Sequence, residues 1–188
     1  MSSMTELTRR LAFPLLDRFE AGDFKIFQAA VELRRHPGTG ALHRYSVLSC
    51  PHWVNVIART AEGDYVFVRQ WRAGTDEITL EIPGGMVDPG EDPVAAGVRE
   101  LVEETGYQGS NPSLLGAVEP NPAFQNNRCS TVIIDNCNPV AAPSLDAGEY
   151  IEVCTLTSDE VRSALIKGEI LHALVVAAFA HLMLKDTL

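Results

Sequence analysis

Three glutamates, Glu100, Glu103 and Glu104, fall within five consecutive residues of the chain. The surrounding stretch 81–109, EIPGGMVDPGEDPVAAGVRELVEETGYQG, holds seven carboxylates and a single arginine. An α-helix advances about 100° per residue, which brings Glu103 and Glu104 within about 60° of Glu100 on either side. Like charges at this spacing repel, and no lysine at i+4 offsets them. Acids on an outer face are commonly just solvated. A ridge without counter-charges, however, also suits a hard divalent cation, because Mg²⁺ is held by a few carboxylates together with substrate phosphates.

The helix carrying the ridge has clear ends. Asp92 is an N-cap, Pro93 occupies the first helical position and Gly106 supplies the stop, leaving about 13 residues between them. Val94, Val98, Leu101, Val102 and Thr105 share the face opposite the carboxylates and are expected to meet the core. The small residues Ala96 and Gly97 flank the ridge and leave room beside it.

The wider spacing is more specific. Gly85, five residues, Glu91, seven residues, then Arg99-Glu100-Leu101-Val102-Glu103-Glu104-Thr105-Gly106-Tyr107 resembles the Nudix box, G-x5-E-x7-R-E-U-x-E-E-x-G-U, where U is bulky and apolar. Seven fixed positions at average residue usage match by accident in roughly one chain in 10⁶. Tyr107 departs from the usual aliphatic residue, a matter of packing rather than chemistry. The resemblance implies an α+β fold: an α/β/α sandwich around a mixed β-sheet, with an N-terminal antiparallel β-hairpin extension. It implies that Glu100, Glu103 and Glu104, with the Gly84 carbonyl, ligate two to three Mg²⁺ (or Mn²⁺) ions. Glu91 and Arg99 match the positions that tie loop to helix by an ion pair.

Outside the box, VRQWRAGTDEITLEIPGG (68–85) and Pro122, 16 residues after Gly106, resemble the ADP-ribose and nucleotide-sugar pyrophosphatase branch. That resemblance assigns Arg72 to the diphosphate and Glu81 to the site. In that branch the catalytic base comes from a late loop, here AAPSLDAGEYIEV (141–153). Glu149 is the choice there, with Asp146 and Glu152 as rivals. Trp53, Trp71 and Phe124 are aromatic candidates for stacking on a base, against core or interface packing as the ordinary role. The implied reaction is cleavage of ADP-ribose to AMP and ribose 5-phosphate. Hydrolysis of GDP-mannose, ADP-glucose or another nucleotide sugar is the alternative, and a nucleotide-binding regulator without turnover is a third reading. The resemblance also points to a homodimer formed through the N-terminal strands.

Around these motifs the chain alternates short β-branched and aromatic runs with turn clusters. Residues 23–33 and 41–50 are expected to form one hairpin, and 53–60 with 65–72 another. Further strands are expected at 77–82, 114–120, 129–137 and 150–156, a helix from Ser158, and an apolar C-terminal helix. Residues 1–20 show no period that assigns them. A boundary near residue 50 would separate the extension, 1–50, from a catalytic domain, 51–188.

Charge and composition narrow the partners. A net charge of −10 disfavours wholesale binding to nucleic acid or anionic lipid, although local arginines or cations still admit an anionic ligand. Cys50, Cys129, Cys137 and Cys154 form no metal-ligand spacing and read as reduced thiols of a cytoplasmic protein. The opening MSSMTELTRR has no apolar run of the secretory kind. The longest apolar run, ILHALVVAAFAHLML, is 15 residues, short of the roughly 20 a membrane span needs. His36, His43, His52, His172 and His181 show no ligand or triad spacing and are expected to be structural or at the surface.

Overall fold

The computed structural model describes residues 4–187. The chain divides into two compact units. The first runs to Pro51 and takes in Asn121–Asn127; the second comprises His52–Pro120 and Arg128 onward.

In the first unit a helix α1 (Met4–Leu11) precedes a three-stranded antiparallel sheet, β1 (Leu15–Asp23), β2 (Gln28–Arg35) and β3 (Leu42–Ser49), in the order β1-β2-β3. The hairpin of β2 and β3 forms as the turn cluster 36–40 demands. The strand expected over 23–33 is broken, because Phe24–Phe27 make a tight turn: Lys25 has φ 64° and the Ile26 N–H donates to the Phe24 carbonyl at 2.6 Å. The turn releases β1 as a third strand, from residues whose sequence showed no period. β1 alternates charged and apolar groups yet is exposed at almost every position, so it lacks the one-sided burial that imposes a legible pattern.

The second unit is built on β4 (Trp53–Thr60), β5 (Tyr65–Arg72), β6 (Glu77–Glu81), β7 (Gly84–Met86), β8 (Tyr107–Val118), β9 (Cys129–Pro139) and β10 (Ile151–Leu156). The strand path is β10-β5-β4-β9-β8, with β6 on β5 and β7 on β4. β4 and β9 are parallel and the other pairs antiparallel, so the sheet is mixed as expected. Successive strand residues face opposite ways. Val56, Val66 and Val132 join the core under α2 (Pro93–Thr105), while Ile57, Phe67 and Ile133 join the core under α3 (Ser158–Lys167) and α4 (Ala173–Thr187). Helices thus cover both faces of the sheet, an α/β/α sandwich. Thr157, one residue before the expected start, caps α3 in a reciprocal box with Glu160.

Helix α2 has the predicted ends: Asp92 accepts from the Val94 and Ala95 N–H groups, and Gly106 stands at φ 71°. Its core face holds Leu101 and Thr105 as expected, with Val94 and Val98 packed against the same core, and burial extends further round the helix. Ala96, Gly97, Leu101, Glu104 and Thr105 are buried, so the helix presents part of its carboxylate ridge inward. Gly97 explains how its flank comes so near the sheet. A Cβ there would stand 3.0 Å from Val132 Cγ2 and 3.3 Å from Val56 Cγ2, so only hydrogen lets the helix lie this close to β4 and β9. Room beside the ridge is filled by the sheet itself. All four cysteines are free, and burial pushes the Cys129 thiol up to about 12. No helix among the described residues is long and apolar enough to cross a membrane. In α4 one face packs through Val175, Ala178, Phe179 and Leu182.

Gly97→Val is expected to destabilise the protein by about 1–3 kcal/mol, because overpacking outweighs the gain in helix propensity. Chemical denaturation measures this; a variant as stable as the parent would show that helix and sheet can separate without cost.

Candidate active site

The acidic site gathers where α2 runs alongside β7. β7 is three residues long and pairs with β4 through Val54↔Gly85 and Asn55↔Gly84. A Cβ on Gly84 would strike the Val54 carbonyl oxygen and come 2.8 Å from Asn55 Cα. A Cβ on Gly85 would lie 2.5 Å from Glu100 Cδ. The two glycines therefore make room, one for a neighbouring strand and one for a carboxylate.

Glu104 is 4% exposed, and its Oε2 accepts the Gly84 N–H at 2.9 Å. Burial pushes its carboxyl up to about 8; the charges of Glu100 and Glu149 add to this, while the Gly84 N–H and Arg72 oppose it. Burial also raises Glu100, against the pull of Arg99. Glu103 is the most exposed of the three.

Arg99 organises the remainder. It makes a bidentate pair with Glu91 at 2.9–3.0 Å, and its Nη1 reaches Glu100 at 2.8 Å and Glu103 at 3.0 Å. Its Nη2 also donates to the Met86 carbonyl at 3.0 Å, fastening β7 to α2. Glu91, held below the usual carboxylate range chiefly by Arg99, accepts the Asp88 N–H as well. The expected link between loop and helix is present in the geometry.

A second pair lies on β5 and β6. Arg72 grips Glu81 through Nε and Nη2, both at 2.8 Å, and the Thr79 hydroxyl donates to Glu81 Oε1 at 2.6 Å. Burial would raise Glu81, but the bonds from Arg72 and Thr79 outweigh it and hold it below its ordinary range. Glu104 and Glu149 both act electrostatically on Arg72, so this pair shares the field of the acidic ridge.

Glu149 lies in the segment before β10, where Asp146 N–H donates to its Oε2 at 3.1 Å and its own N–H donates to the Asp146 carbonyl. Its charge is felt by Glu100, Glu104 and Arg72. Ser144 N–H bonds to the Glu103 carbonyl at 2.8 Å, which ties this loop to the end of α2. Glu152 instead pairs with Arg69 at 2.8 Å across β10 and β5. Trp53 begins β4 half-buried beside Met86 and Cys129. Trp71 is exposed, its indole N–H bonded to Asp76. Pro122 and Phe124 belong to the first unit, where they line a cavity of about 450 Å³ with Arg18, Arg34 and Tyr45.

His172, expected to be structural or at the surface, caps the start of α4 through its Nδ1, and its Nε2 also stands 3.8 Å from Glu81 Oε2. Nothing in the sequence could mark it, since 91 positions separate the two and no ligand spacing is involved.

The NUDIX domain family matches residues 52–179, about two thirds of the chain. The chain belongs to the Nudix family. It is a hydrolase of that family, similar over 150 residues, at 28% identity, to the ADP-ribose pyrophosphatase of Bacillus subtilis (79% of this chain and 81% of that one). It is 30% identical over 158 residues to the methanol dehydrogenase activator of Bacillus methanolicus, covering 84% and 78% of the two chains. The ADP-sugar pyrophosphatase of Mus musculus is 33% identical over 120 residues, 60% of this chain and 54% of the mouse protein. A crystal structure of an ADP compounds hydrolase superposes with TM-score 0.80 over 91% of this chain and 92% of that one; at 18% identity this likeness speaks for the fold.

The donors suit a hard cation, being oxygens only, with two carboxylates held at low exposure against each other's charge. Among the described residues no three acidic, histidine or cysteine groups converge closely enough to hold an ion; Arg99 bonds to Glu100 and Glu103, and the Gly84 N–H to Glu104.

Glu104 titrates near 8 in the fold against an ordinary value of 4.5. Between these values the folded protein keeps a proton that the unfolded chain has lost, so stability falls as pH rises. In chelator, the melting temperature should drop by several degrees from about pH 5 to about pH 8, and Glu104→Gln should flatten most of that slope. Equal slopes in parent and variant would place its origin elsewhere.

Proposed function

We propose that the chain hydrolyses the diphosphate of an ADP-linked sugar, with ADP-ribose the preferred substrate and AMP and ribose 5-phosphate the products. The observation that carries this reading is the guanidinium of Arg72, set in the same field as the buried Glu104 of α2 and Glu149. A lone acidic ridge would repel a diphosphate; an arginine fork beside it gives the phosphate oxygens a bidentate partner. The names of the Bacillus subtilis and mouse relatives support the ADP-sugar class. Hydrolysis of GDP-mannose, ADP-glucose or another nucleotide sugar is the alternative. The likeness to a methanol dehydrogenase activator keeps a regulatory role as a second reading.

Glu100, Glu103, Glu104 and the Gly84 carbonyl would hold two to three Mg²⁺ or Mn²⁺ ions, which when bound neutralise the diphosphate and acidify water. Glu149 is the proposed base, taking the proton of the attacking water. Its charge already reaches Glu100 and Glu104, whereas Glu152 is engaged by Arg69. Arg99 and Glu91 keep β7 and α2 in register, so that the glycine backbone and the ridge stay opposed. Trp53 is a proposed contact of the nucleoside.

A second copy of the chain is the proposed partner of the first unit. Leu15, Leu16, Phe19, Phe24, Ile26 and Leu42 are all exposed on a sheet of only three strands, more apolar surface than a small sheet leaves to water. The four free cysteines support a reducing compartment, the cytoplasm.

With Mg²⁺, ADP-ribose should give the highest kcat/KM of a panel that includes ADP-glucose and GDP-mannose. Glu104→Gln should lower kcat by at least about 100-fold, the scale of losing one transition-state electrostatic contact, without loss of fold. Turnover in the variant near that of the parent, or none in the parent on any nucleotide sugar, would overturn the assignment. Light scattering should report a dimer; a monomer at micromolar concentration would leave the apolar strands without their proposed cover.

A further inference from the structure

Glu81 is 4% exposed and depends on few donors. Its Oε1 accepts from Arg72 Nε at 2.8 Å and from the Thr79 hydroxyl at 2.6 Å. Its Oε2 accepts from Arg72 Nη2 at 2.8 Å, and His172 Nε2 stands 3.8 Å from the same oxygen. If Arg72 turns to a substrate phosphate, Oε2 is left buried without a partner, which disfavours the turn.

His172 is built to fill that place. It sits immediately before α4, and its Nδ1 accepts the Leu174 N–H at 3.2 Å while its carbonyl accepts from Val175 and Val176. An Nδ1 that accepts a bond carries no proton, so the neutral ring bears its hydrogen on Nε2, the nitrogen nearest Glu81. The helix cap thus fixes both the tautomer and the direction of the donor. A lateral movement of about 1 Å brings Nε2 within hydrogen-bond range of Oε2.

We infer that His172 is a positioning residue: it takes over Glu81 when Arg72 leaves, so that the arginine is released to the diphosphate. The inference rests on the proposal that Arg72 binds the substrate. It makes β6, β5 and the start of α4 one exchange device, with the arginine shared between an internal carboxylate and the substrate. Because the arginine holds the diphosphate both before and during reaction, the exchange acts on binding rather than on the chemical step.

Two substitutions separate this role from simple helix capping. Asparagine is a good N-cap but too short to reach Glu81, whereas glutamine can place an N–H near the position of Nε2 and is a poor cap. His172→Asn should raise KM about tenfold, the fold-change of one hydrogen bond to a charged group, with kcat within about twofold. His172→Gln should restore KM to within about threefold of the parent. In a Glu81→Gln background, His172→Asn should have no further effect on KM. The reverse order of the two variants, or an undiminished effect in the Glu81→Gln background, would reduce His172 to a cap. Arg72→Ala distinguishes the layers. If it raises KM while His172→Asn does not, the present inference fails and the substrate role of Arg72 stands; if Arg72→Ala leaves KM unchanged, both fall.

Discussion

Too many carboxylates share too few cations around α2, and the rest of the site is arranged by that shortage. Arg99 alone serves Glu91, Glu100, Glu103 and the Met86 carbonyl. Glu104, beyond its reach, is left with a backbone N–H from Gly84 and a carboxyl raised to about 8. An isolated protein meets this by holding a proton. A cation offers the same relief while keeping the carboxylates charged, and cation binding would then be coupled to release of that proton.

Placing such a group in the interior requires backbone to come unusually close. Gly97 lets α2 settle against Val132 and Val56; Gly84 lets β7 settle against β4; Gly85 leaves the space that Glu100 occupies. The apolar cores on the two sheet faces hold these approaches rigid, with Leu101 and Ala96 on one side and Phe67 and Phe179 on the other. Arg72, the proposed partner of an anionic ligand, is kept paired with Glu81 rather than with the ridge.

The first unit poses a different balance. Glu32 is buried between Arg18 at 2.9 Å and Arg34, a charge satisfied inside a sheet whose apolar side chains remain largely exposed. Polar order and apolar exposure in one small sheet suit a surface completed by association.

Local chemistry was legible from residue types alone. Asp92, Pro93 and Gly106 bound α2 to the residue, because capping depends on neighbours a few positions away. The box spacing located the Arg99–Glu91 pair and the glycines, since eight residues of helix and turn suffice to bring them together. The hairpin of β4 and β5 in the second unit followed from β-branched runs. The inward face of α2 was legible in Val94, Val98, Leu101 and Thr105, but not its extension to Ala96, Gly97 and Glu104, because only the surface of β4 and β9 shows that a missing Cβ permits the closer approach. β1 and the turn at Phe24–Phe27 escaped for want of one-sided burial. His172 escaped because its meeting with Glu81 is made by the path of the chain through α3 and into α4. What the sequence by itself determined was the acidic ridge, its ends and its anchoring arginine, all set by short-range geometry. Which of those acids is buried, and which histidine stands beside Glu81, was decided by tertiary packing, where groups far apart in the chain come to share one low-dielectric space.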